Sequence, residues 1–234
     1  MQPINELWES HNQKEWSDAL DRYWDMPTVV NQLKLEKYMD KLDPQAIERL
    51  DGSEWYAFLN QYFHWKFKGN WLSSRLNDLD GNSRETLFSI KEKLFAFDPN
   101  NIPQGLEIAT SKKGIKGLGP AGASGLLAVV FPKWFGTADK FVVKALCKIE
   151  SLRERPQVLA MVRVRKNPKG KEKEDVQLNE KDAVLLIDIM RRKATELNAM
   201  FGPDHEWTPR KIDMILWASP RDEADARCLS RATS

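Results

Sequence analysis

Cysteine is nearly absent: Cys147 and Cys228 are the only two in 234 residues, far apart and in no C-x-x-C spacing. That excludes a disulfide framework and a cysteine-ligated zinc or iron–sulfur centre. Histidine is almost as scarce, and His11, His64 and His205 are too scattered to suggest a ligand set. The chain has no Walker loop, no H-E-x-x-H and no G-x-S-x-G, which removes nucleotide-triphosphate, zinc-peptidase and serine-hydrolase chemistry as readings of the motifs. Long apolar runs are missing too. The longest, Leu126 to Phe131, falls far below the ~20 residues of a spanning helix, and Met1 to Trp8 has neither a basic start nor an apolar centre. The expectation is a soluble monomer with no membrane partner, cytoplasmic, and nucleoid-associated if the source is bacterial. Charge of one sign is lacking as well: 36 Lys and Arg against 34 Asp and Glu leave +2. Bulk charge therefore does not announce a nucleic acid, and what matters is where the basic residues lie.

What the chain does have is helical periodicity. Glu6 to Leu50 alternates charged and apolar residues with Trp8, Trp16, Leu20 and Trp24 on one face, and Pro27 and Asp43-Pro44 read as helix starts. Ser53 is a candidate cap for a helix from Glu54 to about Lys68 that carries Trp55, Phe58, Tyr62, Phe63, Trp65 and Phe67. Such a face reads either as core or, at Trp65, Phe67 and Trp71 around the Lys68-Gly69-Asn70 break, as a stacking wall for an extruded base. Leu72 to Leu79 and Ser83 to Phe95 give two more amphipathic helices, and Pro103 begins a short one. Beyond Glu150, Val158 to Val164 reads as a short helix or a strand, and Arg163 to Lys173 as an exposed basic loop, solvated or touching phosphate. Asn179 with Asp182 caps a helix from Glu180 to Phe201 stopped by Gly202-Pro203, and Thr208-Pro209 opens the last one. The fold class predicted is all-α, one domain over residues 1–220, with residues 221–234 as a disordered polar tail.

The most informative stretch is Lys112 to Lys148. Gly114, Gly117 and Gly119 close a hairpin, and Gly119-Pro120 opens a helix whose residues Ala121 to Gly125 are all small. Unpaired amides at such a start, together with the helix dipole, suit an anion, with phosphate the natural guest. Lys112, Lys113, Lys116, Lys133, Lys140, Lys144 and Lys148 crowd the region, as a phosphate-binding surface or simply as a solvated face. Downstream, Asp139 opens a further helix with Phe141, Val142, Ala145 and Ile149 at helical spacing. An aspartate before an apolar helix is explained by capping alone.

Gly117-Leu118-Gly119 followed by Asp139, Val142 and Lys144 resembles the helix-hairpin-helix DNA glycosylases of the HhH-GPD superfamily. In that family an apolar residue between two glycines precedes a small-residue helix and then an aspartate in a D-x-x-Φ-x-[RK] turn, where Φ is apolar. The resemblance covers about Leu106 to Lys148 by motif. Ala138 stands where the family carries a β-branched apolar residue, and Lys140-Phe141 where Thr-His is common. It implies a two-lobed helical fold with the helix-hairpin-helix near residues 104–130, and DNA as the partner. Asp139 would be the catalytic carboxylate, with Lys116, Gly117, Gly119, Ala121, Lys140 and Lys144 as DNA contacts and Trp65, Phe67 and Trp71 as the base pocket. Lyases of the family carry a lysine where this chain has Ala121, so the resemblance implies a glycosylase that does not cut the strand. It requires no organic cofactor and allows K⁺ or Na⁺ at the carbonyls of Ile115, Gly117 and Gly119. A DNA-binding protein without catalysis is the alternative.

Overall fold

Most of the helices begin where a side chain caps the first turn or a proline stands in it. The computed structural model describes residues 2–166, 172–202 and 206–219. The first group of helices is α1 (Ile4–Trp8), α2 (Gln13–Asp25), α3 (Pro27–Val30), α4 (Leu33–Asp40) and α5 (Pro44–Glu48), with Pro27 and Pro44 in their first turns. Then come α6 (Gly52–Lys66), α7 (Asn70–Asp80), α8 (Arg84–Ala96) and α9 (Ile102–Ala109). They are followed by α10 (Pro120–Val130), α11 (Lys140–Leu146), α12 (Arg155–Leu159), α13 (Glu180–Phe201) and α14 (Pro209–Ala218). The protein is therefore mostly helical.

Two expectations change. The cap of α6 is Asp51, not Ser53: Asp51 Oδ1 accepts the amides of Ser53 at 2.8 Å and Glu54 at 2.9 Å, and Glu54 accepts the Asp51 amide at 2.9 Å. This reciprocal box starts the helix earlier than the serine would. The second change is local, one short hairpin in a chain whose class stays all-α. β1 (Val162–Lys166) and β2 (Glu172–Val176) pair antiparallel with Val162 opposite Val176, which replaces the basic-loop reading over those residues. Their charged faces, with Arg165 3.4 Å from Asp175, hide the strand signal under what looks like a polar run. His205 and the tail 221–234 lie outside the described residues.

The centre of the fold is α10, buried throughout from Gly122 to Val130. It packs on α9, α13, α14 and α6. Its glycines are where α6 comes close. Tyr62 Oη donates to the Gly122 carbonyl at 2.6 Å, and a Cβ at Gly125 would stand 2.6 Å from that same hydroxyl and 3.4 Å from Lys66 Nζ. The bare face thus exists to admit two large side chains of α6. On the other flank α14 packs against α2, α13 and α11, so the starts of α10, α11 and α14 meet the end of α6 around one cavity. One continuous apolar core runs from Ile4 to Leu216, with Trp16, Trp55, Tyr62, Phe63 and Phe135 fully buried in it.

Candidate functional site

The cavity has a volume of about 820 Å³. This lies within the roughly 300–1,000 Å³ of small-molecule and cofactor pockets. One wall is the hairpin between α9 and α10, whose turn depends on glycine twice. Gly117 has φ +93°, and a Cβ on Gly114 would sit 2.0 Å from the Ile108 carbonyl oxygen. Gly117, Gly119, Ala121 and Gly122 all line the space. The first-turn amides of α10 have no intrahelical acceptor, as at any helix start, and Ala121 and Gly122 line the same cavity as Lys66, Lys68 and Lys140.

Asp139 stands across from this turn as the N-cap of α11. Its Oδ1 accepts the amides of Phe141 at 2.8 Å and Val142 at 3.2 Å, while Oδ2 lies 3.6 Å from Lys66 Nζ. One oxygen caps and the other faces a cation. The segment leading to it is held from both sides: Ser124 Oγ accepts the Ala138 amide at 2.9 Å, and Asp213 Oδ2 accepts the Thr137 amide at 2.6 Å. Both holders are buried, so the backbone immediately before the carboxylate has little freedom.

The inner wall is a polar network from α2, α4, α6 and α14. Glu36 Oε2 accepts from Tyr23 Oη at 2.8 Å and from Trp65 Nε1 at 2.7 Å, and Oε1 accepts from Gln32 at 2.6 Å. Arg210 donates to Asp213 at 2.8 Å, and its guanidinium lies 5.3 Å from the Trp65 ring. Burial disfavours charge on both partners and pushes the Asp213 carboxyl up from the ordinary carboxylate range, against the pull of Arg210. Asp213 in turn offsets burial at Arg210 and holds the guanidinium proton more tightly than usual. Burial also raises Tyr23 and Tyr62, which keeps both phenols as neutral donors. Phe67, Phe141 and Trp217 supply apolar surface, Phe141 and Trp217 meeting edge to face at 5.9 Å.

The structure therefore brings together Asp139, Gly117, Gly119, Ala121, Lys140, Trp65 and Phe67. Trp71 is not among the lining residues. It is 69% exposed on α7, with the guanidinium of Arg75, a lining residue, 5.7 Å from its ring. The turn at Gly69, φ +56°, separates α6 from α7. Lys116 and Lys144 also stand outside the cavity lining; Lys116 Nζ donates to the Gly81 carbonyl at 2.7 Å. Other lysines of the basic stretch pair with surface carboxylates, Lys133 with Glu206 at 2.9 Å, Lys112 with Glu180 at 3.8 Å, and Lys113 with Glu107.

Sequence reasoning missed Lys66, Glu36, Arg210 and Asp213. Only the last two carried a signal: a cation and an anion at i, i+3 in a final helix that, Lys211 apart, is otherwise apolar suggest a buried pair. Among the described residues no group of three or more His, Cys, Asp or Glu could hold a metal, and no helix is long and apolar enough to cross a membrane. In comparisons with known proteins, no family model matches the chain, and neither a curated protein nor a solved structure matches it.

Proposed function

We propose that this chain is a DNA glycosylase that hydrolyses the N-glycosidic bond of a damaged or modified base, within a two-lobed helix-hairpin-helix fold. The observation that carries the reading is a single cavity that holds the Asp139 carboxylate, the glycine hairpin and first turn of α10, and the aromatic wall of Trp65, Phe67 and Phe141. Each has a physical part. The amides of Gly119 and Ala121 and the ammonium of Lys140 take a backbone phosphate of a bent duplex, and an unstacked nucleotide enters the cavity against the aromatic wall. Bond cleavage builds positive charge on the sugar. Asp139 stabilises that charge through Oδ2 and orients or deprotonates the attacking water. The backbone carbonyls of Ile115 and Gly119 each accept one amide, from Leu118 at 3.1 Å and Ala123 at 2.8 Å, and keep a second lone pair for a K⁺ or Na⁺ that would neutralise phosphate charge there.

A second reading has its own observation. Asp139 already caps α11 and faces Lys66, so a DNA-binding protein without chemistry accounts for the same carboxylate. The test is a panel of duplexes, each with one altered base, treated with hot alkali after incubation so that abasic sites appear as breaks. Breaks on at least one substrate are expected. Duplex binding with no alkali-labile site on any member establishes the second reading instead.

A further inference from the structure

Among the described residues three buried side-chain atoms have no hydrogen-bond partner, and two of them belong to one place. They are Thr137 Oγ1 and Arg210 Nε, on residues 4% and 6% exposed that both line the cavity; the third, Trp207 Nε1, lies outside that lining. Thr137 and Arg210 are held on the two oxygens of one carboxylate, Asp213 Oδ2 accepting the Thr137 amide at 2.6 Å and Oδ1 accepting from Arg210 at 2.8 Å. The orphans therefore belong to one spot of the inner wall. A buried donor without an acceptor loses its hydration and gains nothing, so two around one carboxylate in a cavity wall point to a bound group that pairs with them. The neighbouring donors are already engaged: Tyr23, Trp65 and Gln32 on Glu36, and Tyr62 on the Gly122 carbonyl. What remains at the inner end is a hydroxyl and a guanidinium N–H.

We infer that the inner end of the cavity receives an exocyclic carbonyl oxygen of the base, so that carbonyl-bearing bases are the ones released and adenine-type bases, which have no carbonyl, are rejected; this rests on the glycosylase reading of the site. A carbonyl oxygen has two lone pairs and can accept from Thr137 and Arg210 together. A ring nitrogen has only one. An exocyclic amine is itself a donor, so it would leave both orphans unpaired and bring one more donor to a wall where Glu36 already accepts three. A cationic, ring-alkylated base fits no better, since five Lys and Arg side chains line the cavity against three carboxylates. Sites built to hydrogen-bond a substrate group discriminate against the analogue that lacks it, because their own buried groups stay unpaired. Thr137 stands two residues before Asp139 on a segment held by Ser124 and Asp213. The group that registers the base and the carboxylate that faces its sugar are thus carried on one fixed stretch of backbone.

The probes are 2′-deoxyinosine and 2′-deoxyadenosine, whose bases differ by a carbonyl in place of an amine at C6 and the N1 proton that goes with it, titrated into the full chain by calorimetry. Wild type is expected to bind deoxyinosine roughly tenfold or more tightly. Thr137→Val keeps the shape and the amide bond to Asp213 but not the hydroxyl, so it is expected to lose most of that preference. Its urea midpoint should be no lower than that of wild type, because a methyl replaces an unpaired buried hydroxyl. Thr137→Ser is expected to retain the preference. Equal affinity for the two nucleosides, binding of neither, or an undiminished preference in Thr137→Val overturns the inference. The duplex panel separates it from the reading it rests on. Release of hypoxanthine, xanthine or uracil without release of 3-methyladenine or ethenoadenine supports both. Release of a carbonyl-free base leaves the glycosylase standing and removes the carbonyl receptor. A preference for deoxyinosine with no base released from any duplex keeps the receptor and removes the glycosylase.

Discussion

Two ion pairs stand on the wall of one cavity and are built to different standards. At the inner end Arg210 and Asp213 are 2.8 Å apart with side chains 7% and 3% exposed, and both Asp213 oxygens are engaged, one by Arg210 and one by the Thr137 amide. Nearer the hairpin, Lys66 and Asp139 are 3.6 Å apart with 13% and 15% exposure, and Asp139 offers Oδ2 to the cavity. Both oxygens of the inner carboxylate are committed, so Asp213 holds structure, including the backbone two residues before Asp139. The outer pair keeps unspent capacity at a solvent-reachable place, which is what a site requires. A buried pair is weak evidence for net stability, because desolvation opposes the attraction; breaking one partner is costly all the same.

That contrast predicts a large structural effect first. Asp213→Ala leaves Arg210 buried without its counter-charge and frees the Thr137 amide, so it is expected to lower unfolding stability by about 3–5 kcal/mol, read from the urea midpoint. A change within ~0.5 kcal/mol would erase the distinction between the two pairs. Gly125→Ala is expected to have a smaller effect. Its Cβ would press on a Tyr62 hydroxyl that is fully buried and bonded to the Gly122 carbonyl, so a loss of roughly 1–3 kcal/mol is expected. Unchanged stability would mean that the bare face of α10 is not what positions α6.

The same comparison shows which parts of the molecule sequence could reveal. Local chemistry was legible: Asn179 with Asp182 marked the start of α13, Thr208-Pro209 that of α14, and Gly119-Pro120 that of α10, since each start is decided within a few residues. The hairpin glycines and Asp139 were legible for the same reason, lying in one continuous stretch. Asp51 was overlooked because Ser53 is as good a cap in isolation, and the reciprocal bond from Glu54 decides between them. Lys66, Glu36, Arg210 and Asp213 reach the cavity from α6, α4 and α14, and only the packing of those helices around α10 makes them neighbours.

The most direct test of the central claim is Asp139→Asn, assayed for single-turnover base release on whichever lesion duplex the wild type attacks, beside thermal unfolding and duplex binding. Asparagine keeps a side-chain oxygen for the Phe141 and Val142 amides, so the fold and binding should be nearly unchanged. It carries no charge to stabilise a cationic sugar, so the rate is predicted to fall roughly a hundredfold or more, about 2.7 kcal/mol in the barrier. A variant that folds, binds and keeps most of the wild-type rate would show that Asp139 is only a helix cap, and would contradict the account.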